Sequence, residues 1–192
     1  MPILGIMASA MSGNLFAPSG AYDSIATYSL SSLTATVTFS SIPATYKHLQ
    51  LRLLLRTDRG GNITDQPRLK LNSDTGANYT YHDLVGNGAT ASASGASAAS
   101  TGNFGVCTAA DAIASVFGTT IVDILDYADT NKYTTIRSMS AFDNNGTGGF
   151  PGQVFLASVA WLNTAAVTTI AINAIGSYVQ YSSFALYGIK GA

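Results

Sequence analysis

Residues 47–57 read KHLQLRLLLRT, and their alternation decides the fold. Leu49, Leu51, Leu53 and Leu55 take every second position, with His48, Gln50, Arg52 and Arg56 between or beside them. A period of two belongs to a strand with one buried face. Leu54 alone breaks it. A one-residue slip would turn four leucines to water and two arginines into the core, so the register of this strand is strongly fixed. We read it as the central strand of a β-sandwich.

The rest of the chain agrees with an all-β reading. Its 192 residues suit one domain, and no composition break suggests a second. Hydrophobic residues make up 47% and charged residues only 10%, against about 25% charged in typical soluble domains. There is ample material for a core, and the surface is poor in charge. All ten acidic residues are Asp, Glu is absent and Lys is scarce, so the residues that coat exposed helices are nearly missing. A net charge of −1 offers no electrostatic reason to bind nucleic acid or an anionic membrane. An uncharged exterior rich in Ser, Thr, Ala, Gly and Tyr suits a surface that packs against other protein, including copies of itself.

Before Lys47 the chain has no Lys or Arg. Its opening, MPILGIMASAMSGNLFAPSGAY, lacks the basic region of a secretory signal, and Gly5, Ser9, Ser12 and Gly13 interrupt it as a membrane span. We expect no membrane insertion. Residues 1–20 are read as an extended apolar arm that attaches to a neighbouring chain or larger assembly, and residues 21–192 as one antiparallel sandwich.

Within that sandwich the pattern predicts about ten strands. They fall at 24–30, 34–39, 47–57, 68–72, 79–85, 119–127, 132–142, 153–162, 168–174 and 182–189, with 104–108 as an eleventh candidate and a helical turn allowed at 109–115. Every residue of 88–101 is Gly, Ala, Ser or Thr. Such a tract reads as a loop, the alternative being a strand edge packed closely on a symmetry mate. QVFLASVAWL at 153–162 is apolar on both faces, so it should be covered on both sides by core, loop or partner.

Chemistry-bearing groups are sparse. Acyl-transfer catalysis of the Ser-His-Asp kind needs a histidine, and only His48 and His82 exist, with no G-x-S-x-G elbow. Asp123 and Asp126 share a predicted strand but should face opposite sides of it, which is unsuited to paired-carboxylate hydrolysis. The oxygen-rich turns Asp126–Asp129–Asn131 and Asp143–Asn144–Asn145–Gly146 read as turns before calcium sites, and zinc lacks ligands. Cys107 reads as a small buried hydrophobe. Lys47, Arg52, Arg56, Arg59, Arg68 and Lys70 hold six of the nine positive charges. They are expected to pair with Asp58, Asp65, Asp123 or Asp126 rather than bind an anion. Tyrosines 22, 28, 46, 79, 81, 127, 133, 178, 181 and 187 suit core and interface, or alternatively sugar stacking. The reading assigns no catalytic residue, cofactor or metal.

Five segments in order carry a resemblance: MPILGIMAS (1–9), FSSIPATYKHLQLRLLLRT (39–57), LNSDTGANYTYHDLVGNG (71–88), IVDILDYADTNKYTTIRSM (121–139) and QYSSFALYGIKG (180–191). Together they resemble a family of tailed-bacteriophage virion structural proteins. That resemblance implies a non-enzymatic, jelly-roll-like module on the virion exterior, usually a homotrimer. Its partners would be the major capsid protein, for a decoration or cement protein, or tail proteins and host surface glycan, for a tail-fibre module. The chain departs from the long-fibre pattern in lacking a coiled-coil or repetitive shaft, which together with the apolar arm points toward the capsid surface.

Overall fold

The computed structural model describes residues 20–145 and 151–191. It is all-β, with no helix among those residues, and its strands pair antiparallel. The arm expected over residues 1–20 lies, apart from Gly20, outside the described residues. Numbered in chain order, eight strands make the larger sheet. Their spatial order is β1 (Tyr22–Ser29), β14 (Ser183–Ile189), β3 (His48–Leu55), β10 (Gly118–Leu125), β11 (Thr134–Asp143), β12 (Gly152–Trp161), β6 (Tyr79–Gly86) and β7 (Ala91–Ala99). A smaller sheet runs β2 (Thr34–Phe39), β13 (Ile170–Tyr178), β5 (Arg68–Leu71) and β8 (Gly102–Asn103), and β4 (Thr64–Asp65) pairs with β9 (Cys107–Thr108).

The quoted leucine stretch forms β3, flanked on both sides by β14 and β10. Leu49, Leu51, Leu53 and Leu55 are buried in one cluster with Val37 and Phe39 of β2, Leu69 and Leu71 of β5, and Ile170 and Ile172 of β13. That cluster is where the two sheets meet, as in a sandwich. Alternation fails at Gln50, which is buried although it points away from the core. Its amide is held from both sides: Nε2 donates to Asp123 Oδ1 at 2.8 Å and Oε1 accepts from Arg52 Nε at 3.0 Å.

Buried Asp65 ties the irregular parts together. It accepts hydrogen bonds from Thr57 Oγ1 (2.9 Å) and from the backbone N–H of Gln66 (2.7 Å), Gly176 (2.8 Å) and Ile175 (3.3 Å), with Arg59 at 3.6 Å. The last two N–H groups belong to the irregular stretch of β13, between Asn173 and Tyr178, where ladder pairing lapses. A carboxylate thus replaces the missing strand partner. Gly176 is required there, since a Cβ would lie 2.8 Å from the Arg59 nitrogen.

Three expectations are corrected. The tract 88–101 is not a loop: β7 pairs along β6, and side chains this small let the backbone close on its neighbour. At Gly95 a Cβ would stand 2.7 Å from the Tyr81 carbonyl oxygen. The stretch 109–115 makes two isolated turns, Ala112 N–H to the Ala109 carbonyl and Val116 N–H to the Ile113 carbonyl, but no helix: the Ile113 N–H is given to Asn144 Oδ1 and Ser115 takes a positive φ of 66°. Residues 104–108 form no continuous strand. Only Cys107–Thr108 pair, and residues 104–106 are held by β11 hydroxyls: Ser138 Oγ donates to the Phe104 carbonyl and Ser140 Oγ accepts from the Val106 N–H.

The fold makes the two kinds of leucine in β3 separable by equilibrium urea unfolding. Leu51→Ala should cost about 2–5 kcal/mol, as for fully buried leucines, whereas Leu54→Ala should stay within about 0.5 kcal/mol. Equal losses would contradict the assigned register.

Candidate functional site

Cross-strand register determines what the larger sheet shows on the side away from the core. Ala93, Leu84, Leu156, Met139 and Ile121 stand directly opposite one another on β7, β6, β12, β11 and β10, and beyond Ile121 the row passes to Arg52 of β3 and Ala185 of β14. The next row holds Val154, Ala141, Thr119 and Leu54. Leu84, Leu156, Met139, Val154, Ile121 and Leu54 are 38–56% exposed. Shallow depressions of about 420 and 280 Å³ lie among them, each lined by Ile121 and Met139. Scattered apolar side chains on a surface are ordinary, but six gathered on one sheet face are not.

A polar ladder borders the apolar rows. Ser158, Arg137, Asp123, Gln50 and Tyr187 are successive neighbours across β12, β11, β10, β3 and β14. Arg137 Nε donates to Asp123 Oδ2 at 3.1 Å, and Asp123 accepts from Gln50 on its other side. Arg52 then lies 5.4 Å from the ring centres of both Tyr22 and Tyr187, a cation held between two aromatic faces. An apolar centre beside a satisfied polar margin is the make-up of a protein contact surface.

The histidines do not meet. His48 Nδ1 accepts the Asp126 N–H at 2.9 Å, so that nitrogen is engaged in closing the end of β3. His82 stands on the outer face of β6, four strands away, about 19 Å at ordinary strand spacing. Asp126 is not on a strand with Asp123: it lies past the end of β10 with a positive φ of 48°. Lys132 and Lys47 both reach its carboxylate, Lys47 at 2.9 Å. Hydrogen bonds from Lys132 first and Lys47 second hold that carboxyl down to about 2, against an ordinary value of 3.8. Asp129 accepts the Asn131 N–H at 2.9 Å and also faces Lys132. Ammonium groups therefore point into the turn where a cation would sit. In the second oxygen-rich turn Asp143 accepts the Asn145 N–H and Asn144 accepts the Ile113 N–H, while Gly146 lies outside the described residues. Among the described residues no three His, Cys, Asp or Glu side chains are grouped to hold a metal.

Cys107 is fully buried, and burial pushes its thiol far above the ordinary range. Of the basic residues, Lys47 and Arg59 pair with Asp126 and Asp65 as expected. Arg52 and Arg56 instead meet aromatic rings and backbone carbonyls. Tyr79, Tyr127 and Tyr178 are core residues. Of the exposed tyrosines, Tyr133 and Tyr181 lie beyond opposite ends of β3, Tyr22 packs edge-on against Tyr187, and Tyr28 packs against Phe39.

One feature escaped the sequence. At the β6–β7 end the core side of the larger sheet borders a cleft of about 270 Å³ containing Asp83, Ser94, Thr64, Gln66, Gln153 and Phe155. Asp83 is buried and accepts Ser94 Oγ at 2.6 Å. Its partners come from four separate segments, and no local motif announces them.

Compared with known protein families, with curated proteins and with solved structures, the chain matches none.

Two measurements follow from this geometry. Because the folded Asp126 carboxyl lies below its unfolded value, its contribution to stability is complete above about pH 4 and is lost as pH falls toward 2. A carboxyl NMR titration should place its midpoint near 2, and Lys132→Met should move it upward. Cys107 should resist a thiol reagent in the native protein and react at once after denaturation. Fast native labelling would contradict its placement.

Proposed function

We propose that this chain is a non-enzymatic structural protein of a tailed-phage virion, acting on the particle exterior as a trimeric capsid decoration or cement protein with a jelly-roll-like winding. The observation that carries the reading is the outer face of the larger sheet. A folded chain that leaves Ile121, Met139, Leu156 and Leu84 in one exposed row, beside a satisfied Arg137–Asp123–Gln50 ladder, is built to be covered by protein. Low charge supports the same reading, because few groups must be desolvated when such a face is buried. The apolar, uncharged opening sequence supports attachment to a larger particle. The five-segment resemblance supplies the phage context.

A second reading, a tail-fibre module that recognises host surface glycan, is favoured by the cleft at Asp83. A carboxylate, two amides and two hydroxyls above the apolar wall of Phe155 can hydrogen-bond ring hydroxyls while packing a sugar's C–H face. In that case Asp83→Asn should abolish glycan binding and leave particle assembly intact.

Immunogold labelling of intact virions with an antibody to this chain tests the proposal. Label over the capsid is the expected result. Label confined to the tail would favour the second reading, and a chain absent from purified particles would overturn both.

A further inference from the structure

We infer that the outer face of the larger sheet is the contact surface between copies of this chain, with Met139 and Leu156 at its centre. The inference rests on the reading of that face as an assembly surface and names what covers it. Size is the first argument. At about 4.8 Å between strands and about 3.3 Å per residue, an eight-stranded face measures about 34 by 23 Å. That is close to the roughly 800 Å² per partner of a stable complex.

Charge is the second argument. The outward strand positions carry Arg52 and Arg137 against Asp123 and Asp143, so the face is neutral overall and does not repel its own copy. A capsid or host surface of one sign would call for the opposite sign here, and none is offered. Composition is the third. Leu84, Leu156, Met139, Ile121 and Val154 are apolar side chains standing off a pleated sheet, and three copies that turn this face toward a common three-fold axis bring them together in one apolar seam, as a trimer requires. No backbone group is sacrificed, because each of the six inner strands is already paired on both sides.

The full chain at micromolar concentration, analysed by size exclusion with light scattering, should contain more than one copy per particle. Met139→Arg combined with Leu156→Arg should raise the dissociation constant at least about 100-fold, since burying an unpaired charge at an interface centre costs several kcal/mol. Both positions are exposed, so the β circular dichroism and the protection of Cys107 should not change. Independently, Met139→Cys should form an intermolecular disulfide on mild oxidation, while Thr36→Cys, exposed on β2 of the smaller sheet, should not. Deleting residues 1–19 should leave the association intact. A monomeric wild type, an oligomer indifferent to the double arginine variant, equal cross-linking at both cysteines, or association lost with residues 1–19 would each overturn the inference. A monomer that still labels virions would do so while leaving the assembly role standing.

Discussion

Strand register is the constraint on which the rest of the structure depends. Four buried leucines permit only one orientation of β3, and antiparallel pairing transmits that orientation to β10, β11, β12 and β6 in turn. Once Leu51 and Leu53 face the core, Arg52 must face outward. Ile121 opposite Arg52, Met139 opposite Ile121, and Leu156 opposite Met139 must then face outward too. The same interaction that builds the core therefore exposes the apolar rows. They cannot be turned inward without expelling the leucines, and burying them requires something from outside the sheet.

Polar groups inside the fold are used to hold backbone rather than to do chemistry. Asp65 satisfies an irregular stretch of β13, Arg56 gathers four carbonyls of the 110–116 turn, and Asn72 accepts the N–H groups of Thr168 and Thr169 while donating to the Ala166 carbonyl. Asp74 accepts Trp161 Nε1 at 2.7 Å, a bond that holds its carboxyl below the ordinary range and fixes the largest core side chain. In an all-β chain with long connections such side chains stand in for missing ladder bonds. Charged residues are few, and those on the outer face, Arg52, Arg137, Asp123 and Asp143, balance in sign.

Much of this was legible in the sequence, for identifiable reasons. Alternation in 47–57 placed β3 because one face of that strand is wholly buried and the other is not. QVFLASVAWL announced a strand needing cover on both sides, and Phe155, Val159 and Trp161 do meet the core while Val154 and Leu156 stay about half exposed on the other face. What stayed hidden depended on pairing between distant segments. The row from Leu84 to Ile121 exists only once four strands are in register, and single strands show no sign of it. The tract 88–101 misled because Ala, Ser and Gly carry no strand signal of their own, and β6 supplies the ladder that makes them a strand. Asp126 misled because continuing the alternation past Leu125 ignored the positive φ that ends β10.

On the proposed reading, the outer face is covered by protein when the chain is at work. Hydroxyl-radical footprinting read by mass spectrometry measures this directly, because Met139 is an oxidisable side chain at the centre of the face. In the assembled particle Met139 should be protected, and it should oxidise readily in the dilute, dissociated chain. Equal oxidation in both states would show the face open to water throughout and would contradict the account.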